Sequence, residues 1–254
     1  DFGAFAAKLD VKDIHFVPIS ALNGDNVVEK MNNMPWYEGG TLRFILENIH
    51  VASDQNHIDP RFPVQYVIRP ISEKYHDYRG YAGRIAGGVF HKGEKVMVLP
   101  SGFVTTLESI DFDEKEIDEA FPPMSVTFRL ADDLDISRGD MIVRENNVPV
   151  TGQDIEVMMC WMSERPLTPG MKYYLRHTTA EVRAMVKEIV YKVDVNTLER
   201  HPDGQQLRMN EIGRVQLRTT KPLYYDSYRK NRTTGSIILI EEGTFNTVGV
   251  GMIV

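Results

Sequence analysis

Cys160 is the only cysteine in the sequence. That excludes a disulfide framework and a zinc site built on paired cysteines, and it makes a reducing cytoplasm the expected compartment. Histidine is sparse and scattered, at positions 15, 50, 57, 76, 91, 177 and 201, and never in an HExxH spacing. No metal site is therefore expected from these residues. No run approaches the roughly 20 apolar residues that a membrane span needs. No secretory leader is visible either. The GxSxG elbow of a serine hydrolase does not occur. Neither does GxxxxGK[ST], so the chain as given lacks the backbone nest, the lysine and the magnesium-binding hydroxyl that hold nucleoside triphosphates. Positive charge is also in deficit, with 29 Lys and Arg against 36 Asp and Glu, a net charge of −7. That balance argues against general affinity for a nucleic-acid backbone. No nucleic-acid partner and no membrane are therefore expected.

What is present is ordinary globular material. A chain of 254 residues can form one large domain or two small ones, each with a real core. Prolines and glycines are scattered rather than clustered, so no long disordered stretch is implied. The chain opens on Asp1 in DFGAFAAKLDVKD, which reads as a helix already in progress, and an upstream portion is expected.

Residues 1–50 read as α/β. A helix over Phe2–Leu9 precedes a strand at Phe16–Ile19 and a loop at Asn23–Asn26. Leu42, Ile45, Leu46 and Ile49 then recur at helical spacing within Thr41–Ile49. One strand and two helices do not make a self-sufficient core, so this stretch looks like the end of a larger α/β domain. Residues 51–61, VASDQNHIDPR, form a polar linker ending in Asp-Pro.

From Phe62 the pattern becomes β. Expected strands are Val64–Ile68, Gly83–Ala86, Lys95–Leu99, Thr105–Ile110, Ser125–Leu130 and Met141–Val143. Regular short strands with turn residues between them suggest a small closed barrel. Gly83, Gly88 and Gly93 recur at five-residue intervals and suit its bends and turns. A second polar joint, 144–152, leads to a second series: Asp154–Met159, Met171–Arg176, Glu181–Val193, Gly213–Thr219, Ser236–Ile240 and Thr247–Val254. The expected domains are 1–52, 62–147 and 153–254.

The stretch HFVPISALNGDNV, His15–Val27, ends an apolar run in Ser20-Ala21-Leu22 and opens at once into Asn-Gly. On its own this is an ordinary strand-to-turn junction. In this layout it resembles the guanine-binding wall of the translation-factor GTPases, such as elongation factor Tu. In that family an α/β domain, a short linker and two barrels follow one another. Gly83–Val96 is similar to the glycine-punctuated first barrel of that superfamily, and Gly235–Ile240 with Thr247–Ile253 resembles the last strands of the second.

Within the superfamily, several segments resemble the GTPase subunit of bacterial sulfate adenylyltransferase. They are Arg61–Val67, Leu99–Gly102, Asp135–Asp140, Asp194–Glu199, Asn210–Val215 and Asn231–Gly235. The run Glu241–Thr247 departs from the relatives and reads as a surface variation.

The resemblance implies a mixed fold: the C-terminal end of an α/β P-loop GTPase domain, followed by two antiparallel β-barrels. It implies the GTPase subunit of an enzyme that forms adenosine 5′-phosphosulfate and pyrophosphate from ATP and sulfate. A smaller partner subunit would carry adenylyl transfer. Ser20, Ala21 and Leu22 would bind the guanine base of GTP, and the phosphate and Mg2+ ligands would lie upstream of Asp1. No catalytic residue is expected in this chain. A translation elongation factor delivering aminoacyl-tRNA is the alternative, and a non-catalytic double-barrel binding module is a third reading.

Other conspicuous residues have plainer expected roles. Met158, Met159, Trp161 and Met162 read as core or interdomain packing. Met34–Tyr37 is expected to pack the helix Thr41–Ile49 on its sheet. Arg229–Arg232 reads as a solvated loop, Asp25 as a turn residue, and the DxxG spelling in His76–Gly80 as a barrel loop.

Overall fold

The computed structural model describes residues 2–9, 14–49, 55–70, 78–113, 115–202 and 205–254. The chain divides into two compact units, Asp1–Ser53 and Asp54–Val254.

In the first unit, helix α1 spans Phe2–Ala6. It ends sooner than the expected Leu9, because the amides of Lys8 and Leu9 turn back to the carbonyls of Phe5 and Ala6, both at 3.0 Å. This three-residue spacing tightens and closes a helix end. Helix α2 spans Leu42–Asn48, with Thr41 as its N-cap. The Thr41 hydroxyl accepts the Phe44 amide at 3.2 Å, satisfying one of the donors that a helix start leaves open.

The expected strand Phe16–Ile19 has no regular secondary structure and no neighbouring strand among the described residues. A strand exists only through its ladder, and here the one bridge is Ser20 to Asp25. Several large apolar residues of this unit face outward: Phe16 is 62% exposed and Leu46 65%. Trp36 is 71% exposed, and the Tyr37 hydroxyl donates to the Gly40 carbonyl at 2.9 Å. The Met34–Tyr37 segment therefore forms its own turn, with no sheet beneath it among the described residues of this unit. Residues 51–54 of the linker, and His76-Asp77 of the DxxG spelling, lie outside the described residues.

The second unit holds two closed, all-antiparallel barrels. The first uses β1 (Arg61–Ile68), β2 (Gly80–Arg84), β4 (Lys95–Leu99), β5 (Phe103–Phe112), β8 (Ser125–Leu130) and β9 (Met141–Arg144). The ring runs β1-β2-β8-β5-β4-β9 and back to β1, with β6 (Lys115–Ile117) added to β5. Strand β2 starts three residues earlier than expected, at Gly80, and its ladder ends at Arg84. β3 (Phe90–His91) and β7 (Glu119–Ala120) pair with each other. Like β6, they are too short to show a period in sequence.

Alternation fills the first barrel. In β8 the inward residues are Val126, Phe128 and Leu130. Phe128 stacks on Phe62 at 4.0 Å between ring centroids and meets Phe90 at 5.1 Å. Each such buried side chain contributes about 1.5–3 kcal/mol of transfer free energy. Gly88 has φ +64, and a Cβ there would sit 2.2 Å from the Pro60 nitrogen. The backbone crossing at the barrel mouth thus needs glycine for both conformation and space.

The second barrel uses β10 (Val150–Trp161), β11 (Lys172–His177), β12 (Ala180–Val193), β14 (Ile212–Tyr225), β15 (Ser236–Ile240) and β16 (Thr247–Ile253). The ring runs β11-β15-β16-β10-β14-β12 and back to β11, and β13 (Arg200–His201) extends β12. Strand β10 reaches back to Val150 through a bulge between Gly152 and Asp154. The polar run 144–152 is therefore joint only in its middle. Ile155, Val157, Met159 and Trp161 point inward, and the Trp161 indole donates to the Arg165 carbonyl at 2.8 Å. Met159 and Trp161 are core as expected, whereas Met162 is 49% exposed.

The barrels meet around a buried ion pair. Arg61, at the start of β1, is fully buried. Its Nε and Nη2 donate to Asp226 at 2.8 and 3.0 Å. Its Nη1 donates to the carbonyls of Pro60 and Asn147 at 2.9 and 2.7 Å. Asp226 also accepts the Thr234 hydroxyl at 2.8 Å. The segment Arg229–Arg232 departs from the expected solvated loop. Asn231 is buried, its amide donates to the Ala86 carbonyl of the first barrel at 2.9 Å, and its side-chain oxygen accepts the amides of Thr233 and Thr234. Lys230 pairs with Asp59 at 3.0 Å and Asp226 at 3.4 Å. The run becomes a joint through Asp59 and through Ala86 of the first barrel, distant contacts that local composition does not reveal.

Candidate functional site

Ser20 follows the stretch Phe16–Ile19 and starts a tight hairpin. Its amide donates to the Asp25 carbonyl at 3.2 Å, and the Gly24 amide returns to the Ser20 carbonyl at 2.8 Å. The Ser20 hydroxyl accepts the Asn23 amide at 3.3 Å. Two left-handed residues make the reversal possible, Gly24 at φ 78 and Asn26 at φ 57. Glycine and asparagine are the residues that adopt this conformation at least cost.

Two buried residues fix the loop. Asp25 accepts the Asn33 side-chain amide at 2.9 Å; it is a turn residue, as expected, with a specific anchor. Asn26 was not legible as important. Its side-chain nitrogen donates to the Pro18 carbonyl at 3.0 Å, its backbone amide donates to Glu29 at 3.1 Å, and its carbonyl accepts the first amide of α2, from Leu42, at 2.9 Å. The available signal was its type: asparagine tolerates left-handed backbone and carries a two-sided amide.

Ahead of these anchors in the loop, Ala21 and Leu22 stand outward, Leu22 at 94% exposure. Their two backbone amides donate no hydrogen bond among the described residues. The loop thus brings Ser20, Ala21 and Leu22 together and presents adjacent N–H donors behind small or outward side chains. Chemically, such an edge suits a ligand carbonyl oxygen. Among the described residues, no group of three His, Cys, Asp or Glu side chains is placed to hold a metal ion.

Comparison with known proteins shows what the chain is similar to. A family profile described as GTP-eEF1A C-terminal domain-like matches residues 154–254, which comprise most of the second barrel. The bifunctional enzyme CysN/CysC of Mycobacterium tuberculosis is 50% identical over 254 residues, covering 100% of this chain and 41% of the relative. Sulfate adenylyltransferase subunit 1 of Bacteroides fragilis is 46% identical over 254 residues, covering 100% of this chain and 52% of the relative. The crystal structure of sup35 complexed with GDP superposes with a TM-score of 0.71 at 21% identity, covering 98% of this chain and 59% of that one. Translation elongation factor SelB from Methanococcus maripaludis, in its apo form, gives 0.63 at 18% identity, covering 84% of this chain and 46% of that one. At these identities the two structures show the shared fold alone. The chain spans about half the length of the curated relatives it matches. Over its whole length the chain is similar to a part of the proteins named CysN/CysC and sulfate adenylyltransferase subunit 1.

Proposed function

We propose that this chain is part of the GTPase subunit of sulfate adenylyltransferase, which couples GTP hydrolysis to formation of adenosine 5′-phosphosulfate and pyrophosphate from ATP and sulfate. The observation that carries the reading is the identity of 43–46% along the whole chain to proteins named sulfate adenylyltransferase subunit 1. Residues 1–52 are read as the C-terminal part of a GTPase domain. The outward apolar side chains of Phe16, Phe44 and Leu46 support this, because they are the faces such a domain would cover.

Ser20, Ala21 and Leu22 are read as the guanine-binding edge. The unengaged amides of Ala21 and Leu22 fit a guanine carbonyl. Adenine places an amine there, which would leave both donors unpaired at roughly 1–3 kcal/mol per buried group. Asn26 and Asp25 hold that edge in place, so the discrimination is built into the backbone before ligand arrives. Phosphate and Mg2+ ligands are assigned to the region upstream of Asp1. GTP, when bound, supplies the driving force for an adenylylation whose equilibrium lies far toward ATP. The adenylyl transfer site is assigned to a smaller partner subunit, with the two barrels in a binding role.

The test is sulfate-dependent pyrophosphate release from ATP by the native full-length protein with its partner, with and without GTP. Strong stimulation by GTP is expected. Synthesis indifferent to GTP would reject the reading.

A further inference from the structure

An antiparallel strand with one face in a core normally carries polar residues on the other. On β10 this holds only at first. Its outward residues begin polar, at Asp154 and Glu156, and then turn apolar at Met158 and Cys160, with Met162 just past the strand. The register carries the change sideways. Cys160 stands opposite Ile212 of β14 and Val250 of β16. Val250 stands opposite Ile238 of β15, and Ile212 opposite Val193 of β12. One row of five outward apolar side chains thus crosses five adjacent strands. Met158 and Met252 face each other in the next row. Val250, Met252 and Met162 are 39%, 40% and 49% exposed.

Phe245 flanks this band, in the turn between β15 and β16. Its φ is 59, a conformation that bulky side chains rarely adopt, and it is 73% exposed. The turn is built to hold it there. The Phe245 amide donates to the Glu241 carbonyl at 3.1 Å, and the Glu241 amide to the Asn246 carbonyl at 2.9 Å. The Thr244 hydroxyl donates to the Glu241 carboxylate at 2.7 Å. The ring lies parallel to that of Tyr174, with centroids 6.4 Å apart, and the Arg183 guanidinium lies over Tyr174 at 5.5 Å. A strained backbone that holds a large apolar ring in water serves no purpose in the barrel's own core.

Charge and shape decide the class of occupant. The charges bordering the band are already paired within the barrel. Arg214 meets Glu156 at 2.6 Å, Lys192 meets Glu211 at 2.9 Å, Arg176 meets Glu181 at 2.8 Å, and Arg183 meets Glu242 at 3.2 Å. These pairs leave no cation for a nucleic acid or a small anion. By ordinary strand spacings the band spans about 19 Å across the strands and about 13 Å along β10. It lies on the convex outside of a barrel, which encloses no small ligand. An apolar centre rich in methionine, with an aromatic at its edge and neutralised charges around it, has the composition of a lasting protein–protein contact.

We propose that this band is the face on which the second subunit of the enzyme docks, through an apolar surface of its own, with Phe245 as an anchor. The inference rests on the reading of this chain as one subunit of sulfate adenylyltransferase, which supplies a different chain as the partner.

The experiment measures the dissociation constant between the two full-length native subunits at low and high salt. It compares the wild type with Val250→Arg and Phe245→Gly, and with Val104→Arg, an exposed apolar position of the first barrel, as the control. Thermal midpoints and sedimentation of the isolated large subunit accompany each variant. Phe245→Gly relieves left-handed strain, so its midpoint should not fall although its binding does. The expected result is about tenfold or greater weakening for both band variants, a change within about twofold for the control, and wild-type binding that salt alters little. A tight wild-type complex that both band variants leave within about twofold overturns the assignment and leaves the subunit reading standing. So does a large drop in the isolated subunit's own midpoint in both band variants, which would mean that another part of the same chain covers the band. Loss of a self-association seen in the wild type would assign the band to a second copy and overturn the proposal equally. Failure of the wild-type subunits to associate at all, together with synthesis unresponsive to GTP, overturns both readings.

Discussion

Arg61 and Asp226 stand 165 residues apart in sequence and form a two-pronged ion pair at 2.8 and 3.0 Å. Both are buried. Burial alone would push the Asp226 carboxyl up, but the Arg61 guanidinium and the Thr234 hydroxyl outweigh it and hold the group below its usual range. Removing one partner of such a pair leaves an uncompensated charge. Asp226→Asn should therefore destabilise the barrel pair by about 3–5 kcal/mol in urea unfolding, whereas Thr234→Val should cost about 1 kcal/mol. A loss below about 1 kcal/mol for Asp226→Asn would mean that the pair is not what joins the barrels.

Two glycines should respond differently to alanine. At Gly93, φ is +85 and a Cβ would meet nothing within 4 Å, so Gly93→Ala pays only for left-handed backbone, about 1–2 kcal/mol. At Gly88 the same strain is joined by a Cβ 2.2 Å from the Pro60 nitrogen. Gly88→Ala should lie well above Gly93→Ala, beyond about 3 kcal/mol. Equal midpoints for the two variants in chemical denaturation would contradict this packing.

Acid should unfold the protein in two stages. His177 is buried, with Nε2 2.7 Å from the Thr234 carbonyl. Burial pulls its pKa below the ordinary 6.5, against the opposing Thr234 bond and the Asp226 charge. The unfolded chain then binds a proton that the folded chain refuses, so stability falls as pH drops below 6.5. Asp226 and Asp59 are held below the ordinary 3.8. Their contribution is present above that value and is lost as pH falls through their folded values. His177→Gln should flatten the dependence between about pH 7 and about pH 5 while leaving the steeper acid limb intact. Thermal midpoints across that range decide it, and an unchanged slope in the variant would exclude His177 as the cause.

The guanine-edge reading makes a local prediction. Ala21→Pro removes one outward amide and leaves the side chain small. In the full-length protein it should weaken GTP binding about tenfold or more, corresponding to roughly 1–3 kcal/mol, without moving the unfolding midpoint of the barrels. Unaltered GTP affinity in calorimetry would remove Ala21 from the site.

The barrels were legible because inward alternation survives in strands such as β8 and β10. The strand Ser125–Leu130 was read with its observed bounds, since Val126, Phe128 and Leu130 alternate with polar neighbours. Short strands such as Phe90–His91 carry no period and were invisible. The stretch Phe16–Ile19 was misread for a different reason: its composition fits a strand, but ladder formation depends on a neighbour elsewhere in the chain. The joint between barrels was illegible too. Arg61 pairs with Asp226 and Asn231 with Ala86 across long separations, and nothing local marks either. In the candidate loop, Ser20–Leu22 was found by family resemblance, whereas Asn26 acts through contacts with Pro18 and α2 that no sequence pattern encodes.

The central proposal is that this chain is part of a GTP-driven sulfate-activating enzyme. The most direct test is sulfate-dependent pyrophosphate release from ATP by the purified two-subunit enzyme, with and without GTP. The account predicts strong stimulation by GTP that is lost when sulfate is omitted. No sulfate-dependent release, with GTP hydrolysis raised instead by ribosomes, would contradict it.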